Sequence, residues 1–152
     1  MIYLIGGPPR CGKTTLAKKM LKKYKVSWIS CDTLGVIERE HTLREQWAKK
    51  YPYSYLRKDP KMGRSNDLFY ETYNTKKIVS AIKKQAKSTY KAVDIFIACE
   101  LADGNDYVIE GYHIMPQFAD KMIKKYGKKN VKAVFLGKFD ENKFAKDVHK
   151  SK

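Results

Sequence analysis

The sequence is poor in residues that staple a chain or ligate metals. Its 152 residues include three cysteines, Cys11, Cys31 and Cys99, and three scattered histidines, His41, His113 and His149. No Cys-x-x-Cys pair occurs, which excludes a zinc ribbon, and a sparse odd set fits a reducing compartment better than a disulfide framework. Long apolar runs are missing too. No stretch reaches the roughly 20 apolar residues of a membrane helix, and the leading MIYLIGG has neither the charge nor the length of a secretory signal. The expectation is a soluble, cytoplasmic protein with no membrane partner. A Gly-x-Gly-x-x-Gly pattern is absent, which disfavours a dinucleotide fold. With no internal repeat and no low-complexity linker, residues 1-152 read as a single domain.

Arginine is scarce. Arg10, Arg39, Arg44, Arg57 and Arg64 are the complete set, against 27 lysines and a net charge of +16. Such charge invites a nucleic-acid reading, because basic surfaces attract phosphate backbones. Two features favour ordinary solvated faces instead. Arginine, not lysine, is the better reader of phosphates and bases. The excess is also spread along the chain, +7 over residues 1–50, +5 over 51–100 and +4 over 101–152. Nucleic acid therefore stays a partner that is not favoured.

What is present is an alternation of short apolar runs and helical patterns. IYLIGG (2–7), VSWIS (26–30), YVIE (107–110) and VKAVFL (131–136) read as buried strands. Leu16, Ala17, Met20, Leu21 and Tyr24 recur at helical spacing between lysines. Asp32 or Thr33 is placed to cap a helix running towards Lys50, with Leu34, Ile37 and Trp47 inward. Residues 51–66 hold prolines, a glycine and tyrosines and read as irregular, followed by a short helix over 67–73. Thr75 to Ala102 suits one long helix or two joined ones, stopped at Asp103-Gly104. Pro116 opens and Gly127 closes a further helix, and Asp140 caps a last one. Strands alternating with helices predict a parallel sheet covered on both faces, with ligands beyond the carboxyl ends of the strands. Gly7, Asp32 and Glu110 all fall at such ends, whereas Asp106 falls at the far end.

Gly7-Pro8-Pro9-Arg10-Cys11-Gly12-Lys13-Thr14, continued by Thr15, fits the Walker A pattern G-x-x-x-x-G-K-[ST] at every fixed position. Its glycines let backbone amides approach phosphate oxygens, and the helix opening near Lys13 adds its positive end. Lys13 would reach the β- and γ-phosphates of ATP, and Thr14 would offer its hydroxyl to Mg²⁺. Arg10, inside the loop, is a candidate for touching phosphate or substrate and joins Lys13 and Asp32 as a candidate catalytic residue. Asp32 would accept a hydrogen bond or a proton from an acceptor hydroxyl, its rival role being the helix cap. Glu110 would hold Mg²⁺ through water or position the acceptor, and Gly111 permits close backbone approach. Arg39, Arg57 and Arg64 are the candidate forks for an anionic acceptor. The tyrosines at 51, 53, 55, 70 and 73 read as a packed helical cover rather than a base-stacking surface. His113 is read as orienting the loop after Glu110.

GGPPRCGKTT, Asp32 in SWISCDTL, and IEGYHIMP together resemble the small P-loop kinases of the nucleoside-monophosphate-kinase type, IEGYHIMP looking most like the 2-phosphoglycerate-kinase-like branch. The likeness runs from Met1 to about Lys138. It implies a three-layer α/β P-loop NTPase fold with strand order 2-3-1-4-5, a helical acceptor-binding insertion over 34-102, and a lid carrying arginines. It also implies transfer of the ATP γ-phosphoryl group to an acceptor. The chain departs from that pattern after the fourth strand. GKFDENKFAKDVHKSK has lysines, among them Lys138, Lys143 and Lys146, but no arginine, so the expected order is 2-3-1-4 with the fifth strand missing. An open edge of that kind would favour a homodimer. The leading expectation is a kinase acting on a small anionic acceptor. The alternatives are a polynucleotide-end or nucleotide-sugar kinase, or a truncated nucleotide-binding switch.

Overall fold

The computed structural model describes residues 1–59, 61 and 66–140. Arg64, Lys143, Lys146 and the helix expected after Asp140 lie outside the described residues. Strands β1 (Ile2–Gly6), β2 (Ser27–Ser30), β3 (Tyr107–Glu110) and β4 (Val131–Phe135) form one parallel sheet in the order β2-β3-β1-β4. That is the expected order, and these four strands are the sheet among the described residues.

Alternation along each strand divides the core into two layers. Ile2, Leu4 and Ile109 face helices α6 (Thr75–Ala102) and α7 (Pro116–Tyr126), where they meet Val93, Ile97, Phe118 and Met122. Ile5 and Val108 face α1 (Lys13–Tyr24), packing on Ala17 with Leu16 and Met20 beside it. The central strands are thus buried on both faces, which is why they read as nearly continuous apolar runs. Asp106 lies at the opposite end of the sheet from the loop, where its carboxylate pairs with the amino group of Met1.

The insertion between β2 and β3 departs from expectation in three places. Helix α2 is Cys31–Glu40, and the residue that caps it is Ser30, whose Oγ accepts from the Asp32 amide at 3.2 Å. Asp32 and Thr33 are inside the first turn and so do not cap. The helix does not continue to Lys50. Thr42 turns its hydroxyl back to the Glu38 carbonyl at 2.9 Å, and a 3-10 turn (Arg44–Gln46) leads into α3 (Trp47–Lys50). Ile37 consequently faces solvent, whereas Trp47 is buried. Finally, part of the stretch read as irregular is helical: α4 (Pro52–Arg57) starts on its own proline, whose missing N–H costs nothing there.

Helix α5 (Asn66–Thr72) carries Phe69, a second small core with Ile78. Tyr53, Tyr70 and Tyr73 meet the Phe69 ring edge-on at 5.7, 5.4 and 5.3 Å. Tyr53, Tyr70 and Tyr73 therefore pack a helical cover, as expected, and Tyr51 is buried, whereas Tyr55 is exposed. Helix α6 is a single element of 28 residues. Among the described residues, no helix is long and apolar enough to cross a membrane.

Candidate functional site

The loop from Gly7 to Gly12 connects β1 to α1 through three left-handed residues, Gly7 (φ 133), Arg10 (φ 61) and Gly12 (φ 86). Gly7 is needed for space as well as conformation, because a Cβ there would stand 2.1 Å from the Leu136 carbonyl oxygen. Helix α1 has no side-chain cap and no acidic residue in its first turn. Its amino end therefore keeps its positive character for an anion. Pro8, Pro9 and Arg10 are exposed along the rim of the loop, with Cys11 half-buried and Thr15 exposed behind it.

Lys13 is nearly buried, and its Nζ donates to the Pro8 carbonyl at 2.6 Å, so the ammonium lies inside the curl of the loop. Thr14 Oγ1 donates to Glu110 Oε1 at 3.0 Å, which ties the start of α1 to the tip of β3. Glu110 is buried. A hydroxyl and a carboxylate in contact are hard oxygen donors of the kind Mg²⁺ takes. Mg²⁺ uses one or two protein oxygens and fills its remaining positions with water and phosphate. No group of three or more acidic, histidine or cysteine side chains arranged to hold a metal ion occurs among the described residues. The pair fits Mg²⁺ on that basis and does not fit an all-protein metal cage.

Asp32 opens onto the same mouth. Crowding by the surrounding chain raises its carboxyl above the ordinary range, and the Lys13 charge pulls it back. His113 stands behind it, 2% exposed, with Nδ1 3.5 Å from Asp32 Oδ1. Burial, and then Lys13, push the imidazole down to about 4, so it is neutral near pH 7 and this contact is not an ion pair. The ring stacks on Tyr112 at 3.9 Å. His113 is thus placed behind Asp32 in the loop after Glu110. Gly111 allows the close approach of that loop to α2, since a Cβ there would lie 2.7 Å from the Cys31 Cβ. The Cys31 thiol is pushed far up by burial, then by Asp32 and Glu110, and is an inert packing group.

The arginines take different places. Arg39 is mostly buried inside the insertion, donating to Ser54 Oγ at 3.1 Å and to Glu40 Oε1 at 3.3 Å. Arg57 lies over the Phe69 ring at 4.9 Å. Arg64 is outside the described residues. The structure therefore brings together Gly7 to Thr15, Asp32, Glu110 and Gly111, with Arg39 and Arg57 built into the insertion's own packing.

Gln85 is a site-supporting residue not singled out in the sequence. It is buried, accepts from the Ser54 amide at 2.8 Å, and donates to the Tyr112 hydroxyl at 3.0 Å. Its signal was available: in the series Ile78, Ile82, Gln85, Thr89, Val93 it is a long polar side chain on the inward stripe of α6. Beside the loop opens an apolar cavity of about 450 Å³, walled by Pro8, Pro9, Val79, Ile82, Tyr112 and Phe135 among others.

No protein-family model matches the chain, and no curated protein matches it significantly. Among solved structures it is similar to a gluconokinase from Sinorhizobium meliloti 1021, with 14% identity and a TM-score of 0.52. The alignment covers 97% of this chain and 63% of that one, so the chain spans less than two thirds of the neighbour's length. Parallel order β2-β3-β1-β4, a glycine loop between β1 and α1, and this likeness together show a three-layer α/β fold of the P-loop NTPase type.

Proposed function

We propose that the protein is a P-loop kinase that moves the γ-phosphoryl group of ATP to a hydroxyl on an anionic acceptor. The observation that carries this reading is the meeting of Lys13, the Thr14–Glu110 pair and Asp32 at one mouth, each delivered by a different strand tip. The kinase neighbour supports it at the level of the fold.

The chain's own groups divide the work as follows. Loop amides from Gly7 to Gly12 and the amino end of α1 hold the phosphates. Lys13 supplies a nearly buried positive charge where negative charge builds in the transition state. Thr14 and Glu110 would hold Mg²⁺, which when bound neutralises phosphate charge and fixes phosphate orientation. Asp32 accepts the proton of the acceptor hydroxyl, and its raised pKa makes it the better base for that step. Arg10 reaches the phosphates from the loop rim, and Gly111 seats the loop after Glu110 against Cys31, next to Asp32. Helices of residues 34-102 close the acceptor side, with Arg39 and Arg57 as cationic groups of that insertion.

The test is transfer of labelled γ-phosphate together with calorimetry of Mg·ATP binding. Lys13→Ala is expected to weaken Mg·ATP by about 2–5 kcal/mol, the cost of removing one partner of a buried charged contact. Asp32→Asn should bind Mg·ATP normally and lose transfer by roughly 10²–10⁴-fold. Unchanged nucleotide affinity in the lysine variant would overturn the assignment of the loop.

A further inference from the structure

Part of the charge that is spread along the sequence is gathered on one helix face. Residues 75–93 of α6 contain six lysines and no aspartate or glutamate. A groove of about 570 Å³ runs along this helix, lined by Thr75, Lys76, Val79, Ser80, Lys83, Lys84 and Lys87. All of these are exposed, and no described carboxylate pairs with Lys76, Lys83, Lys84 or Lys87. The spacing puts them on one face of the helix. The groove shares Val79 and Lys83 with the apolar cavity beside the P-loop. A lysine track therefore adjoins the cavity that Gly7, Pro8 and Pro9 of the loop help to wall.

The occupant that fits is a chain of regularly spaced anions ending in a flat, partly apolar group. At a rise of about 1.5 Å per residue, Lys83 and Lys87 stand roughly 6 Å apart along the axis, and Lys76 roughly 10 Å before Lys83. That is the order of one or two extended nucleotides. Tyr112, Pro8, Pro9 and Ile82 at the end of the track offer the apolar wall on which a terminal base can stack. Lysines are point charges that follow a backbone without reading bases, so their excess over arginine points to sequence-independent binding rather than against binding.

We propose that this groove holds the backbone of a single-stranded nucleic acid and presents its terminal hydroxyl as the phosphate acceptor. The proposal rests on the kinase reading above and replaces the small acceptor expected from sequence with a polymer end. In the step, the terminal hydroxyl oxygen bonds to the γ-phosphorus of ATP. The bond from that phosphorus to the β–γ bridging oxygen breaks, and ADP leaves with the electron pair. The hydroxyl proton passes to the Asp32 carboxylate.

The test uses the full chain and a single-stranded RNA of roughly 12 nucleotides, fluorescently labelled away from the free hydroxyl end. Anisotropy is measured between about 50 and 200 mM salt. Lys76→Glu/Lys84→Glu/Lys87→Glu should bind at least about tenfold more weakly, with a salt slope smaller by roughly 2, and should bind Mg·ATP as the parent does. The equally charged control Lys128→Glu/Lys129→Glu/Lys132→Glu, remote from the groove, should keep RNA binding. Equal loss in both variants, no binding by the parent, or equal binding to an acidic peptide or anionic vesicles would overturn the proposal. The kinase reading fails separately: Lys13→Ala is expected to lose Mg·ATP and keep RNA. If the parent binds Mg·ATP through Lys13 but not RNA, only the nucleic-acid acceptor is overturned.

Discussion

Ile5 in the centre of the sheet and Trp47 in the insertion are both buried, but their surroundings differ in kind. Ile5 sits in register with Glu110 on one side and Val134 on the other, held by a ladder that repeats along every neighbouring residue. Trp47 lies beneath three cations, Arg39, Arg44 and Lys58, at 5.2, 4.7 and 4.5 Å from its ring, and its Nε1 donates to the Thr42 carbonyl at 3.1 Å. The sheet is built from interchangeable backbone pairs and apolar area. The insertion is built from individual partners, each with one job. In the proposed kinase, the phosphate machinery stands on the first region and the acceptor side on the second.

The comparison breaks most visibly at Gly7. Gly7→Ala meets both the left-handed backbone and the Leu136 carbonyl, and it should cost about 3 kcal/mol or more of stability. A urea midpoint measures it. A cost below about 1 kcal/mol would show that the tip of β4 yields, and that the rigid half is not rigid at its functional end.

His113 gives the next effect, through pH. Its folded value is about 4, against an unfolded value of roughly 6.5. Between these the unfolded chain binds more protons, so stability rises with pH, by about 3 kcal/mol in total. That contribution is complete above about pH 6.5 and is lost as pH falls towards 4. Asp32 acts in the opposite sense just above its ordinary range, since its folded pKa is raised, but its carboxylate is 66% exposed and solvent screens it. His113→Gln should flatten the slope between pH 4 and 6.5 in a pH series of urea melts. An unaltered slope would place the titration elsewhere.

Gln85 is the smallest and sharpens the comparison from the other side. Gln85→Ala removes the bridge between Ser54 and Tyr112 and leaves buried polar groups unpaired, a loss of about 1–3 kcal/mol. The denaturant midpoint should fall and phosphate transfer should slow, while Mg·ATP affinity stays at the parent value. Loss of nucleotide affinity would mean that cradle and insertion are one unit.

The same division explains what could be read in advance. Strand positions, a parallel sheet, the loop and the helix after it were legible because a few apolar runs and a fixed glycine–lysine spacing encode them locally, whereas the strand order was implied only by the family resemblance. The extent of α2, the helical turn at Pro52 and the outward face of Ile37 were not. The bounds of α2 turn on which side chain takes a backbone group, as Thr42 takes the Glu38 carbonyl and Ser30 the Asp32 amide, a competition among near neighbours that apolar spacing does not decide. Asp32 illustrates the limit well: its place after β2 was evident, but its capping rival was settled by Ser30.

By itself, then, the sequence determined a glycine-rich loop of Walker A pattern on a parallel α/β sheet, because backbone conformation and burial follow from glycine, proline and apolar spacing alone. Only the tertiary structure decided that Thr14 meets Glu110, that His113 stands behind Asp32, and that lysines from one helix line a groove adjoining the cavity beside the loop. Those juxtapositions join residues far apart in the chain, and no local pattern carries the distance between them.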